Sequence, residues 1–289
     1  MVKVPDVVID IGQQQIKLLQ IQVDKKGGVT VKKAGVERLM LSSEEESDTA
    51  YQRIQETLPI LLQRLGVKAR RAVVSLPGRS AFTRRLRVPV VRGRQLQRII
   101  KYEARQHIPF PLEQVNMDYQ ITPSSGDSEE LEVNLVAVRS EIAESYSKVL
   151  KKCGIRSDII EVAPLSLYNA YAASKLRDIE EVTAVVCIGA SSTDIVIEQN
   201  GVMQFMRSAP VAGNALTTLL AKSLDLPPDK AEDLKKKPAA EFSSANPGVA
   251  AEQVSSILER GFDRIITEIR RSFDFYVSQP DAQPVTRIF

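Results

Sequence analysis

The sequence predicts an α/β protein of two duplicated lobes, with a small α+β unit inserted into the first. Three observations predict it. An apolar strand, a glycine turn, a second strand and a hairpin into a third occur twice, as VVIDIGQQQIKLLQI at 7–21 and AVVCIGASSTDIVI at 184–197. Between the repeats stands a block that reads strand, helix, strand, strand, helix. The 289 residues suffice for about two domains. The expected division puts 1–70 and 155–182 in the first lobe and 71–154 in the inserted unit. The second lobe takes 183–289, with a helical part at about 215–262.

The elements follow in order. Val7-Val8-Ile9 is a β-branched run punctuated by Asp10 and Gly12, and Ile16, Leu18, Leu19 and Ile21 continue it beyond the turn. Lys25-Lys26-Gly27-Gly28 turns the chain into Val29–Val31. The acidic stretch Ser43–Asp48 caps a helix over Ala50–Leu65, where Ile54, Leu58, Leu61, Leu62 and Leu65 recur at helical spacing and Gly66 ends it. Ala72–Ser75 is a strand broken by Leu76-Pro77-Gly78, and Ala81–Val91 alternates apolar with basic residues as a half-exposed strand does. Gly93–Gln106 reads as a helix with Leu96, Ile99 and Ile100 on one face. Ile108-Pro109-Phe110-Pro111 stops it, because proline lacks a donor and restricts φ. Strands at Val115–Ile121 and Leu131–Val138, separated by Ser124–Ser128, and a helix at Glu141–Lys152 complete the block. Ser157–Val162 and Leu165–Lys175 lead, as strand and helix, to the second repeat. There Asn200-Gly201 is a hairpin signal and Phe205-Met206 falls in the third strand. Leu216–Leu224 and Pro228–Lys236 read as helices, Ala239–Ala250 as a loop of small residues, and Ala251–Val277 as a long amphipathic helix.

Composition narrows the function. At 43% hydrophobic and 26% charged, the chain is an ordinary globular one. No apolar run approaches the roughly 20 residues that span a bilayer, and 1–8 lacks the pattern of a signal peptide. Cys153 and Cys187 match no zinc spacing, and Cys187 is expected inside a buried strand. The single histidine, His107, sits at a helix end, and a capping or surface role suits it better than a catalytic one. From Arg70 to Arg105 there are eleven basic residues and one acid, a net +10, which leaves −7 for the rest of a chain whose total is +3. The segment has no basic-aromatic nucleic-acid module, so an acidic partner or anionic headgroups suit it better than nucleic acid.

The repeated Asp-x-Gly-type turn suits phosphate: glycine lets backbone approach, the following amides form a nest, hydroxyls add donors, and an aspartate can hold magnesium through water. The plainer reading is a pair of tight β-turns. At this point the chain resembles the PilM family, actin-like cytoplasmic proteins of the type IV pilus related to the division protein FtsA. The residues that carry the resemblance are the two turns, Val74–Gly78, Tyr102–Glu113 with Asp118-Tyr119, Ala209–Thr217, Ala231–Lys235 and Arg270–Tyr276.

The resemblance implies an actin-like fold, with ribonuclease H-like duplicated lobes, an inserted α+β subdomain and a C-terminal end that looks truncated. It implies ATP and Mg2+ as cofactors, with Asp10, Gly12, Gln13, Lys17, Gly189, Ser191, Ser192, Thr193, Gly213, Glu232 and Lys235 around the nucleotide and Asp10 toward the metal. It implies the N-terminal segment of a PilN-type membrane protein as partner, in a groove between the first subdomain and the inserted one. A pilus motor ATPase, indirect contact with the inner membrane and self-association are compatible with it, and nucleic acid is not. The expected role is a cytoplasmic scaffold of the pilus assembly platform, peripheral to the membrane through its partners. An active actin-like ATPase and a cytoplasmic type II secretion domain stay open as alternatives. Gln13-Gln14-Gln15 stands where the family carries Ser or Thr, Cys187 where it carries aspartate, and Phe289 precedes the family's adenosine turn. These departures argue against hydrolysis.

Overall fold

The computed structural model describes residues 5–25, 28–39, 47–68, 71–122, 130–238, 241 and 250–289. The cap expected at Ser43–Asp48 lies largely outside the described residues. So do the centre of the first hairpin turn, the Ser124–Ser128 connection and most of the small-residue loop after Ala239. The chain divides into two compact units, one up to Ala170 and the other from Tyr171 onward.

The first unit begins with β1 (Val7–Ile11), β2 (Gln15–Val23) and β3 (Val29–Arg38), an antiparallel meander. Alternation sends Val7, Ile9 and Ile11 into the core and leaves Asp10 on the other face. α1 (Ser47–Leu65) lays Ile54, Leu58 and Leu61 on this sheet. It comes so close to β3 that a Cβ on Gly35 would meet Leu65 Cδ1 at 2.8 Å, so this glycine is what lets the helix sit down.

β4 (Arg71–Leu76) pairs in parallel with β1, and β8 (Arg156–Val162) in parallel with β4, giving the order β3-β2-β1-β4-β8. β4 had been expected to open the inserted unit; its apolar, doubly flanked strand belongs to the first sheet instead. α3 (Ser140–Lys152) also packs there, burying Val149 and Leu150 in the same core, and its Tyr146 meets Tyr51 of α1 edge to face at 5.4 Å. β5 (Ala81–Pro89), β7 (Glu130–Arg139) and β6 (Val115–Thr122) form a separate three-stranded antiparallel sheet in that order. α2 (Arg94–His107) covers it with Leu96, Ile100 and Ala104, closing a core with Leu86, Val88, Val133 and Leu135. α4 (Ala163–Ala172) ends near the boundary of the unit.

The second unit repeats the first unit's plan. β9 (Thr183–Ile188), β10 (Thr193–Gln199) and β11 (Val202–Ala209) form the meander, and β12 (Arg287–Ile288) joins β9 in parallel, giving β11-β10-β9-β12. This is the β3-β2-β1-β4 order again. Asn200 and Gly201 both take positive φ at the expected hairpin. α5 (Gly213–Leu224), α6 (Pro228–Lys235) and α7 (Ala251–Val277) pack around Leu220, Ala231, Leu234, Val254 and Ile257. α7 also returns Tyr276 to the sheet, where its hydroxyl donates to Gln199 Oε1 at 2.5 Å.

Candidate functional site

The two glycine turns share one geometry. Gly12 N–H donates to the Gln15 carbonyl at 3.0 Å, and Gly189 N–H to the Ser192 carbonyl at 3.0 Å. A Cβ on either glycine would lie 3.1 or 3.0 Å from that same carbonyl, so both turns require a residue without one. In the rung two residues before each glycine, Asp10 faces Lys17 and Cys187 faces Asp194.

In the first turn, the Lys17 ammonium donates to Asp10 Oδ2 at 3.0 Å, an exposed pair of little energetic weight. Gln13 is buried and Gln15 exposed, so the glutamine expected to reach a phosphate turns inward. The Leu39 N–H holds the turn through the Gln14 carbonyl at 2.8 Å.

In the second turn, Cys187 is exposed, contrary to the expected buried position. Along β9 the side chains pass from buried at Thr183, Ala184 and Val185 to exposed at Cys187 and Ile188. Thr193 is fully buried and its hydroxyl donates to the Val211 carbonyl at 2.7 Å, while Ser192 is buried and Ser191 half-buried. The start of α5 is bolted onto this turn: Gly213 N–H donates to the Gly189 carbonyl at 3.1 Å and Asn214 N–H to the Ala190 carbonyl at 2.7 Å. Amides that a helix start could offer to an anion are thus used within the fold. Asp194 keeps a carboxylate in the rung, on the returning strand, where it accepts from the Ser208 hydroxyl.

Glu232 and Lys235 of α6 do meet, as their spacing of three requires. The Lys235 ammonium donates to Glu232 Oε2 at 2.5 Å, to Thr217 Oγ1 at 2.9 Å and to the Gly213 carbonyl at 3.2 Å, which accounts for its three protons. Thr217 Oγ1 donates to Glu232 Oε2 at 2.5 Å, and Lys236 Nζ lies 2.8 Å from Oε1. Burial pushes the Glu232 carboxyl up, but hydrogen bonds from Lys235, Lys236 and Thr217, with the Lys235 charge, outweigh it and hold the pKa at about 2. Gly189, Gly213, Glu232 and Lys235 therefore form one connected cluster in the second unit, joined by Thr217, which the sequence reading had not singled out. Asp10, Gly12, Gln13 and Lys17 form the pair and turn of the first unit.

In the first unit the Asp10 carboxylate is shared with Lys17 through a weak, exposed pair. In the second, Cys187 presents a thiol, a poor ligand for a hard cation such as magnesium, and Lys235 uses its three protons on Glu232, Thr217 and Gly213. Among the described residues, no three His, Cys, Asp or Glu side chains gather as a metal-holding set.

The first unit holds a second feature, a cavity of about 230 Å³ where the three-stranded sheet meets α3. Arg79, Phe82, Ile108, Phe110, Arg139 and Ile142 line it. The Arg139 guanidinium lies 5.5 Å from the Phe110 ring and also pairs with Glu141 at 2.5 Å. Its residues come from β5, β6, β7 and α3 and from the segments before β5 and after α2, with no periodicity, so no pattern in the chain announces it. Among the described residues no helix is long and apolar enough to cross a membrane.

The chain is 32% identical to the cell division protein FtsA of Neisseria meningitidis serogroup B over 111 residues, which are 38% of this chain and 26% of that protein. It therefore spans about a quarter of that relative's length. A solved PilM-PilN type IV pilus biogenesis complex is similar over 96% of this chain and 79% of the other, with TM-score 0.78 and 23% identity. MreB 5 of Spiroplasma citri bound to AMPPNP is similar over 97% of this chain and 81% of the other, with TM-score 0.52 and 15% identity. These likenesses establish the actin-like fold. Residues 8–289 match the family described as type IV pilus assembly protein PilM, and the chain belongs to that family.

Proposed function

We propose that this chain is a cytoplasmic scaffold of the type IV pilus assembly platform that works without nucleotide turnover. Its first unit would receive the N-terminal segment of a PilN-type membrane protein in the cavity lined by Phe82, Ile108, Phe110 and Ile142. That cavity is the observation that carries the reading: Phe82, Ile108, Phe110, Val115 and Ile142 give it an apolar lining, the exposed Arg79 and Arg139 add positive charge, and it brings residues of the inserted sheet together with Ile142 of α3. Membership of the family and the likeness to the PilM-PilN complex support it. The inserted unit is then drawn more narrowly than expected, at about 81–139, since β4 and α3 pack with the first sheet.

Nucleotide belongs to this proposal only as a secondary ligand. For Glu232 and Lys235 to flank a nucleoside, their mutual pair and the Thr217 contact would have to open. A motor ATPase and a second copy of the chain remain partners that the scaffold would bring to the membrane protein.

A fluorescent PilN-type N-terminal peptide tests the reading by anisotropy. The full chain should bind it, and Phe110→Ala, at a partly exposed position, should weaken binding about tenfold, as loss of a moderate hot spot does. A chain that binds no such peptide would overturn the platform role.

A further inference from the structure

α2 carries an array of charge that neither the cavity nor the glycine turns use. Arg94, Arg98, Lys101 and Arg105 follow one another at spacings of four, three and four, which places them on a single stripe about 16 Å long. All four are exposed, and none has an ion-pair or hydrogen-bond partner among the described residues. The stripe lies opposite the face that Leu96, Ile100 and Ala104 bury against the inserted sheet. Glu103, the helix's single acid, falls on the sheet side. Amphipathic and apolar side chains bracket the stripe: Tyr102 beside it at 62% exposure, Val90 before the helix at 53% and Phe110 after it at 40%.

A stripe of unpaired cations has a cost, because like charges at helical spacing repel. The arrangement is relieved when a surface of opposite charge covers it. Nucleic acid and acidic peptides share this charge complementarity, but neither calls for exposed apolar side chains beside the cations. Here the donors stand in one line on the outer side of a helix, with the exposed Tyr102 within it and the exposed Val90 and Phe110 just before and after it. That geometry matches a plane of anionic headgroups, into which long cationic side chains reach while the apolar groups enter the interface.

We propose that α2 rests directly on an anionic lipid surface through Arg94, Arg98, Lys101 and Arg105. Position adds support: Ile108 and Phe110, just beyond the helix, line the cavity assigned to a membrane protein's cytoplasmic segment. That support rests on the platform reading, whereas the charge array does not.

Flotation of the full chain with unilamellar vesicles tests the proposal. The protein should float with phosphatidylcholine vesicles that contain phosphatidylglycerol and not with phosphatidylcholine alone, and high salt should release it. Each Gln substitution in the stripe should lower the vesicle partition constant about fivefold, so R94Q/R98Q/K101Q/R105Q should stay unbound. If that variant melts early, the pair R98Q/K101Q and the salt dependence of the wild type carry the test. Equal flotation with both lipids, no flotation, or an unchanged variant would overturn the proposal. So would tighter stripe-dependent binding to a DNA oligonucleotide or to polyglutamate. The PilN-type peptide in solution separates the two readings. The quadruple variant should still bind it, and a wild type that floats yet ignores the peptide retires the platform role and keeps the stripe.

Discussion

Glu232 accepts hydrogen bonds from Thr217, Lys235 and Lys236 while half-buried, and its carboxyl titrates at about 2 against an ordinary value of 4.5. A folded pKa below the unfolded one stabilises the fold above about pH 4.5, and the contribution is lost as the pH falls through about 2. Wild type should therefore be more stable to urea than Glu232→Gln at neutral pH. The gap between them should close as the pH is lowered from 4.5 toward 2; a gap that stays constant would mean the cluster is not held by charge. The same cluster uses all three Lys235 protons inside the second unit, so Glu232 and Lys235 would have to part before either could flank a nucleoside. At the two turns the equivalent rungs differ in charge: Asp10 faces Lys17 in the first hairpin, and Cys187 faces Asp194 in the second.

α1 shows how an element absorbs a local contradiction. Pro59 sits inside the helix without an N–H, so the Gln55 carbonyl one turn earlier loses its donor. The Cys153 thiol lies 3.9 Å from that carbonyl, and burial pushes the thiol pKa up, which keeps it a protonated donor. A thiol is a weak substitute for an amide. Pro59→Ala should therefore stabilise the first unit by about 1–3 kcal/mol, read as a higher midpoint in thermal melting. An unchanged or lower midpoint would show that Pro59 is needed to seat the helix. β3 depends on a comparable fit, because Gly35 leaves the space that Leu65 fills.

At the scale of the whole molecule, the strand order 3-2-1-4 appears in both units, which is the architecture of an actin-like duplication. The fold by itself does not make an ATPase, since chemistry lies in the site and not in the scaffold. With ATP and magnesium, the purified chain should release no more phosphate than a protein-free control, and Asp10→Ala should change nothing. Steady release abolished by Asp10→Ala would sink the scaffold reading and restore the enzyme.

Local pattern determined much of this protein. The glycine turns, the meanders, the helical stripes of α1 and α2 and the excess of positive charge between Arg70 and Arg105 are all periodic or strongly punctuated. They depend on neighbours within a few residues, and they were legible in the chain. The duplication was legible too, because both hairpins repeat the same sequence of apolar run and glycine. Tertiary structure alone decided the rest. β4 joined the first sheet because parallel pairing links residues over sixty positions apart, which no local pattern records. Cys187 is exposed although Thr183, Ala184 and Val185 of the same strand are buried, because exposure depends on what packs beside a residue. The closure of Glu232, Thr217 and Lys235 into one satisfied cluster, and the assembly of a cavity from separate elements, follow from three-dimensional proximity. Spacing placed the α2 cations on one stripe, but only the fold could show that none of the described residues pairs with them.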